Sequence, residues 1–166
     1  MIRLDALCAD FQDMVLALCE AGAEFLIVGG YAVAWHGHPR STGDIDLLVR
    51  PSAANAERVW QALVRFGAPV TAAGLTVNDL TRKETVYQIG RPPRRIDILT
   101  DISGVDFDAA WQRRVESEWR GHKVGMLGLD DLLTNKRASA RAKDLADVRE
   151  LENLRRARHG RRGDQH

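Results

Sequence analysis

With two cysteines in 166 residues, Cys8 and Cys19, the chain lacks the means to be a disulfide scaffold. Both fall in one helix-periodic segment, 11 positions apart, which puts them roughly 16 Å apart along a helix axis. At that distance they cannot bridge each other. The expectation is a reduced, cytosolic (cytoplasmic) protein with two small core thiols. Long hydrophobic runs are also missing. No stretch approaches the ~18 apolar residues of a membrane span, and Asp5, Asp10 and Asp13 interrupt the opening segment, so neither a signal peptide nor a membrane partner is expected. Charge of one sign is absent too. The formal net charge is +1, which creates no global field to mark a nucleic-acid or membrane binder.

What is present fits one globular domain, with 45% hydrophobic and 28% charged residues. The length allows a core that needs neither metal nor disulfide to hold it. Charge is uneven toward one end, where Arg155, Arg156, Arg158, Arg161 and Arg162 follow one another with almost nothing apolar between them. The expectation is a domain over residues 1–156 and a basic, solvated tail over 157–166, with an RNA-binding arm as the other reading of that tail.

Along the chain, Leu4, Leu7, Cys8, Phe11, Met14, Val15, Leu18 and Cys19 recur at helical spacing until Gly22. Such an amphipathic helix leaves self-association open. A buried strand, Phe25 to Val28, runs into Gly29-Gly30 and a short helix to Trp35. Residues 36–43 compose a loop, with His36 and His38 read as loop residues, and Asp44 to Val49 read as a second strand. Ser52 caps a helix from Ala53 to Phe66 whose inner face is Ala56, Val59, Trp60, Leu63 and Val64. Val86–Ile89 and Ile96–Leu99 form two strands around Gly90-Arg91-Pro92-Pro93, and Asp106 caps a helix through Trp111. A smaller hairpin surrounds Arg120-Gly121, and helices over Leu129–Ala138 and Ala142–Arg156 close the domain. This order gives an α+β fold, a mixed or antiparallel central sheet flanked by helices.

The chemistry lies in Gly29-Gly30 and in Arg40-Ser41-Thr42-Gly43-Asp44-Ile45-Asp46. Strand side chains alternate faces, so Asp44 and Asp46 point one way, about 6–7 Å apart at Cα, and Ile45 and Leu47 the other. Two carboxylates at ~4 Å repel by about 4 kcal/mol at an effective dielectric near 20. A divalent cation removes that repulsion, and oxygen-only ligands select Mg²⁺ or Mn²⁺. Asp97, in Arg95-Ile96-Asp97-Ile98-Leu99, supplies a third carboxylate if its strand lies beside Asp44–Val49. Three such groups suit one or two metal ions about 3.5–4 Å apart and in-line nucleotidyl displacement. A strand–Gly–Gly–helix junction lets backbone N–H groups approach phosphate. Taken singly, each signal also fits a structural role. The acidic pair suits a turn, Asp97 an exposed strand face, Arg40 an ion pair with Asp44 or Asp46, and Thr42 the shaping of the loop. Their joint occurrence favours a site.

Together Gly29-Gly30, Arg40-x-Thr42, Asp44-Ile45-Asp46 and Asp97 resemble the DNA polymerase β-type nucleotidyltransferase superfamily. Lys136-Arg137-Ala138-Ser139-Ala140-Arg141-Ala142-Lys143-Asp144-Leu145-Ala146-Asp147 and the stretch from Gly90 to Trp111 are similar to small bacterial AbiEii-like proteins. The resemblance runs from about Phe25 to Leu151. It implies a minimal nucleotidyltransferase fold in which Asp44, Asp46 and Asp97 are catalytic and bind Mg²⁺ or Mn²⁺. Gly29, Gly30, Arg40, Thr42, Lys136 and Asp144 would serve the nucleoside triphosphate, Lys136 by neutralising phosphate charge and Asp144 by orienting Lys136 or an acceptor. It further implies an acceptor hydroxyl on transfer RNA, a protein or a small molecule, and a toxin–antitoxin setting with an antitoxin partner. One departure stands out. Most active members have Gly-Ser where this chain has Gly29-Gly30, which removes a hydroxyl. A catalytically silent nucleotide- or RNA-binding module is therefore the alternative reading, and a plain interaction protein the third.

Overall fold

The computed structural model describes residues 3–39 and 42–163. Its helices are α1 (Ala9–Glu20), α2 (Gly29–Trp35), α3 (Ala53–Phe66), α4 (Phe107–Gln112), α5 (Leu129–Ser139) and α6 (Ala142–Gly163), and its strands are β1 (Phe25–Val28), β2 (Ile45–Val49), β3 (Val86–Arg91), β4 (Arg94–Leu99), β5 (Val115–Trp119) and β6 (His122–Met126). The strands form one sheet in the order β3-β4-β2-β1-β6-β5. β1 is antiparallel to β2 and parallel to β6, and β2 is parallel to β4. The architecture is therefore α+β with a mixed sheet, as the element order implied.

Strand alternation divides the interior in two. Ile45, Leu47 and Val49 of β2, with Ile96 and Ile98 of β4, pack against α1 and α3. Leu48, with Leu26 and Val28 of β1, packs instead with Ala32, Val33, Leu132, Leu133, Val148 and Leu151 under α2, α5 and α6. Asp46 and Asp97 belong to this second face, so helices α2, α5 and α6 are the ones placed to wall the site.

Local chemistry accounts for most boundaries. The Asn55 amide donates to Ser52 Oγ at 3.2 Å to start α3, and Gly67 ends it in the left-handed region at φ 90°. Ala109 N–H donates to Asp106 at the start of α4. Three expectations need correction. The first helix begins at Ala9, because Leu4–Ala6 form a separate 3-10 turn and Cys8 precedes the helix in extended conformation. Leu4 and Leu7 are nonetheless buried, so their spacing reported burial rather than one continuous helix. On α3, Val64 is 54% exposed and Ala62 takes its place inside. Finally, α6 continues through Gly163, past the expected end at Arg156. Arg155 pairs with Asp130 at 2.8 Å, and Arg158 donates to the His36 carbonyl at 2.9 Å. These contacts fasten the basic stretch to α5 and to the end of α2, which apolar periodicity cannot show. The two cysteines are free and half-buried. Among the described residues, no helix is long and apolar enough to cross a membrane.

Candidate active site

Parallel pairing of β2 with β4 sets Asp46 directly beside Asp97. Asp44 lies one residue before β2 begins. Asp97 is buried and Asp46 half-buried, both on the face opposite Ile45 and Leu47. Burial is the first cause that pushes the Asp46 carboxyl up to about 6, followed by the charge of Asp97, a hydrogen bond between the two side chains and the charge of Asp44; Lys136 pulls the other way. Neighbouring carboxylates in a half-buried place disfavour the ionised form of Asp46, which is the direction of this shift.

Arg95 supplies the other positive charge. Its Nε donates to Asp97 Oδ1 at 2.9 Å, its guanidinium lies 3.1 Å from Asp44 Oδ2, and its backbone N–H donates to Asp44 Oδ1 at 3.2 Å. These carboxylates, Asp97 foremost, hold the Arg95 guanidinium above its ordinary value. With Asp44 drawn toward Arg95, no three His, Cys, Asp or Glu side chains among the described residues stand in a metal-ligating arrangement. The donor set still fits a hard divalent cation. Three carboxylates on or beside adjoining strands line one cleft, and a guanidinium already supplies positive charge to two of them.

The glycine pair is required by this packing. Gly29 sits at φ 67°, and a Cβ there would come 2.1 Å from Asp46 Oδ2. Gly29→Ala is therefore expected to cost about 1–2 kcal/mol from the left-handed backbone alone, and to push Asp46 away from Asp97. Urea denaturation and metal titration check this together; unchanged metal affinity would contradict the assigned contact. A Cβ at Gly30 would lie 2.8 Å from Thr42 Oγ1, so the Thr42 hydroxyl fills the space a side chain at position 30 would need. Thr42 Oγ1 also donates to the Asp44 carbonyl at 3.2 Å, tying the loop to the start of β2. Helix α2 has only seven residues, so its macrodipole is small, and its first-turn N–H groups have no partner within the helix.

Opposite the strands, Lys136 of α5 is 4% exposed and contacts Asp144 at 3.1 Å and Asp147 at 3.2 Å, both from α6. Arg141 Nε donates to Asp144 at 2.7 Å. Burial pushes the Asp144 carboxyl up, but hydrogen bonds from Arg141 and Lys136, and their charges, outweigh it and hold it below the usual carboxylate range. Gly29, Gly30, Thr42, Asp44, Asp46, Asp97, Lys136 and Asp144 all line one cleft of about 350 Å³. Of the residues expected at the site, Arg40 alone lies outside the described residues. His36 lies in the turn that follows α2, as expected, and is buried there. Its Nε2–H donates to the Leu127 carbonyl at 2.8 Å, and burial lowers its basicity. Arg95 and Arg141 were missed. The signal for Arg95 was its position two before Asp97, on the same strand face. That for Arg141 was its place three before Asp144, at the start of a helix.

Since Asp46 titrates above its ordinary value of 3.8, its proton favours the folded state. That contribution is full below pH 4 and is lost as pH rises through about 6. A divalent cation must displace the same proton. Calorimetry is therefore expected to show Mn²⁺ affinity rising by about tenfold per pH unit below pH 6, then levelling off. A flat profile from pH 5 to 7 would contradict the raised value at Asp46.

No family model and no curated protein matches the chain. Among solved structures, a candidate nucleotidyltransferase from Thermotoga maritima superposes with a TM-score of 0.51 over 96% of both chains, at 18% identity. An antigenic nucleotidyltransferase-like protein from Paracoccidioides brasiliensis gives 0.48, also at 18% identity, over 87% of this chain and 74% of its own. Identity this low speaks to the arrangement of the chain and not to what it does. The six-stranded mixed sheet and its flanking helices are those of a nucleotidyltransferase fold.

Proposed function

We propose that the protein is a divalent-metal-dependent nucleotidyltransferase, moving a nucleoside monophosphate from a triphosphate to an acceptor hydroxyl. The observation that carries this reading is the register of Asp46 against Asp97, with Asp44 alongside, in a cleft opened by Gly29 and Gly30. Bound Mg²⁺ or Mn²⁺ would be held by Asp44, Asp46 and Asp97 and would supply charge neutralisation and Lewis acidity for the displacement.

The chain's own residues do the rest. First-turn N–H groups at Gly29 and Gly30, with the Thr42 hydroxyl, cradle the triphosphate. Arg141 and Lys143, at the cleft wall, add positive charge toward the phosphates. Lys136 acts chiefly through its field, since its ammonium is engaged by Asp144 and Asp147. Asp97 takes the proton of the acceptor hydroxyl, whose oxygen forms the new bond to the α-phosphorus as the bond to pyrophosphate breaks. Beyond Asp97 the cleft reaches Asp101 and Ile102, walls it shares with a 430 Å³ cavity over Arg50 and Phe107. That gives an acceptor an approach on the Asp97 side.

Acceptor classes compatible with the site are transfer RNA, a protein side chain and a small molecule; a toxin–antitoxin setting rests on the AbiEii-like motif from Lys136 to Asp147. Incubation of labelled triphosphates and Mg²⁺ with total RNA and with protein extract tests the reading. Label should move to one pool with release of pyrophosphate. Label moving to none would overturn it. The silent-module alternative is favoured by one observation, the hold of Arg95 on two of the three carboxylates. It expects triphosphate binding by calorimetry with no pyrophosphate released.

A further inference from the structure

Arg95 and Asp97 stand two apart on β4 and so share its cleft face. The guanidinium contacts Asp97 Oδ1 at 2.9 Å, Asp97 Oδ2 at 3.4 Å and Asp44 Oδ2 at 3.1 Å. These are oxygens a bound metal ion would need. A metal–oxygen bond is about 2.1 Å long, and a second full charge beside the ion would repel it. The ion and the guanidinium therefore compete for Asp44 and Asp97. The Arg95 side chain is 26% exposed at the cleft wall, where a change of rotamer turns it toward the open space.

Displacement by a divalent cation sets the guanidinium free, and a free guanidinium at a cleft wall is a fitting partner for phosphate oxygens.

We propose that Arg95 is an exchangeable internal cation that holds Asp44 and Asp97 until a divalent ion displaces it, then turns to the triphosphate, so that metal and nucleotide bind in a mutually dependent way. The inference rests on the metal-dependent reading of the site. Metal alone binds weakly because it must evict Arg95. Nucleotide alone binds weakly because Arg95 is engaged elsewhere. Each ligand lowers the cost of the other, and by linkage the enhancement is the same in both directions.

Calorimetric titration with Mn²⁺ tests this, on wild type and on Arg95→Ala, with and without a non-hydrolysable nucleoside triphosphate analogue. Without the analogue, Arg95→Ala is expected to bind Mn²⁺ about tenfold more tightly than wild type, since a positive charge next to the metal has gone. The gain in Mn²⁺ affinity on adding the analogue should be large for wild type and small for the variant. Arg95→Lys should fall between them. If Arg95→Ala fails to melt cooperatively, Arg95→Gln, which keeps length and hydrogen bonding without the charge, carries the comparison. Mn²⁺ binding that is no tighter in the uncharged variants, while wild type binds Mn²⁺ with the analogue, overturns the inference alone. Wild type binding no Mn²⁺ under either condition overturns the metal-dependent reading along with it.

Discussion

Asp46→Asn is expected to reduce nucleotidyl transfer by about 10³-fold or more without weakening the fold. The two effects separate because the Asp46 charge is unfavourable to the protein that carries it. Burial and the neighbouring Asp97 and Asp44 push its carboxyl up to about 6, so at pH 8 the ionised group is held against its preference. Asparagine keeps the shape and the hydrogen bonding and removes the repulsion. In metal-free buffer at pH 8 the melting temperature should hold, or rise by about 2–4 °C. Added Mg²⁺ should raise the melting temperature of wild type by ligand linkage and leave the variant unmoved. Pyrophosphate release and thermal melts measure both sides. An Asp46→Asn protein that transfers nucleotide as wild type does, or that melts well below it, would mean that Asp46 is a structural residue.

Lys136→Met is expected to do the opposite, acting on stability first. The ammonium sits among the carboxylates of Asp144 and Asp147, and all three residues are almost wholly buried. Removing one partner of a buried ion cluster costs about 3–5 kcal/mol, because the two carboxylates are left close together with less compensating charge. Against a typical total of about 5–15 kcal/mol for a domain, that is a large share, and the melting temperature should fall by about 10 °C or more. The pH dependence has a definite sign. Asp144 titrates below its ordinary value, so its contribution is present above pH 4 and is lost as pH falls through the lowered value. Wild type should therefore lose its advantage over Lys136→Met in acid. Adding Asp144→Asn to Lys136→Met should recover part of the loss, since the two positions share one network. Urea denaturation across pH checks these points; a loss below about 1 kcal/mol would show the cluster to be well solvated.

The lysine result bears on how the site is built. The cluster joins α5 to α6 and carries Arg141, Lys136 and Asp144 to the wall facing Asp46 and Asp97. A buried charged triad is a costly way to fasten two helices, and apolar packing of Leu132, Leu133, Val148 and Leu151 already does so beneath it. Its position at the cleft instead gives the carboxylates a positive field, which is why Lys136 opposes the upward shift of Asp46.

Much of this is legible in the sequence. The Ser52 cap and the helix Ala53–Phe66 follow from capping chemistry and apolar periodicity, and Asp46 opposite Ile45 and Leu47 follows from strand alternation. The convergence of Asp97 on Asp46 was a conditional expectation. It depends on parallel pairing between strands separated by α3 and the β3 hairpin strand, a long-range choice that no local pattern encodes. The extension of α6 to Gly163 is not legible in the sequence because its support is polar, through Arg155 to Asp130 and Arg158 to the His36 carbonyl. Arg95 is only partly legible for a related reason. Its alternation with Asp97 was readable, yet its reach to Asp44 required the loop before β2 and the start of β4 to lie side by side.

Anomalous diffraction from crystals soaked with Mn²⁺ and a non-hydrolysable triphosphate tests the metal-dependent reading most directly. Manganese density is expected about 2 Å from carboxylate oxygens of Asp46 and Asp97, with the triphosphate against Gly29 and Gly30 and the Arg95 guanidinium turned onto phosphate. A triphosphate bound in the cleft with manganese elsewhere, or with Arg95 still on Asp44 and Asp97 and no metal between them, would contradict it.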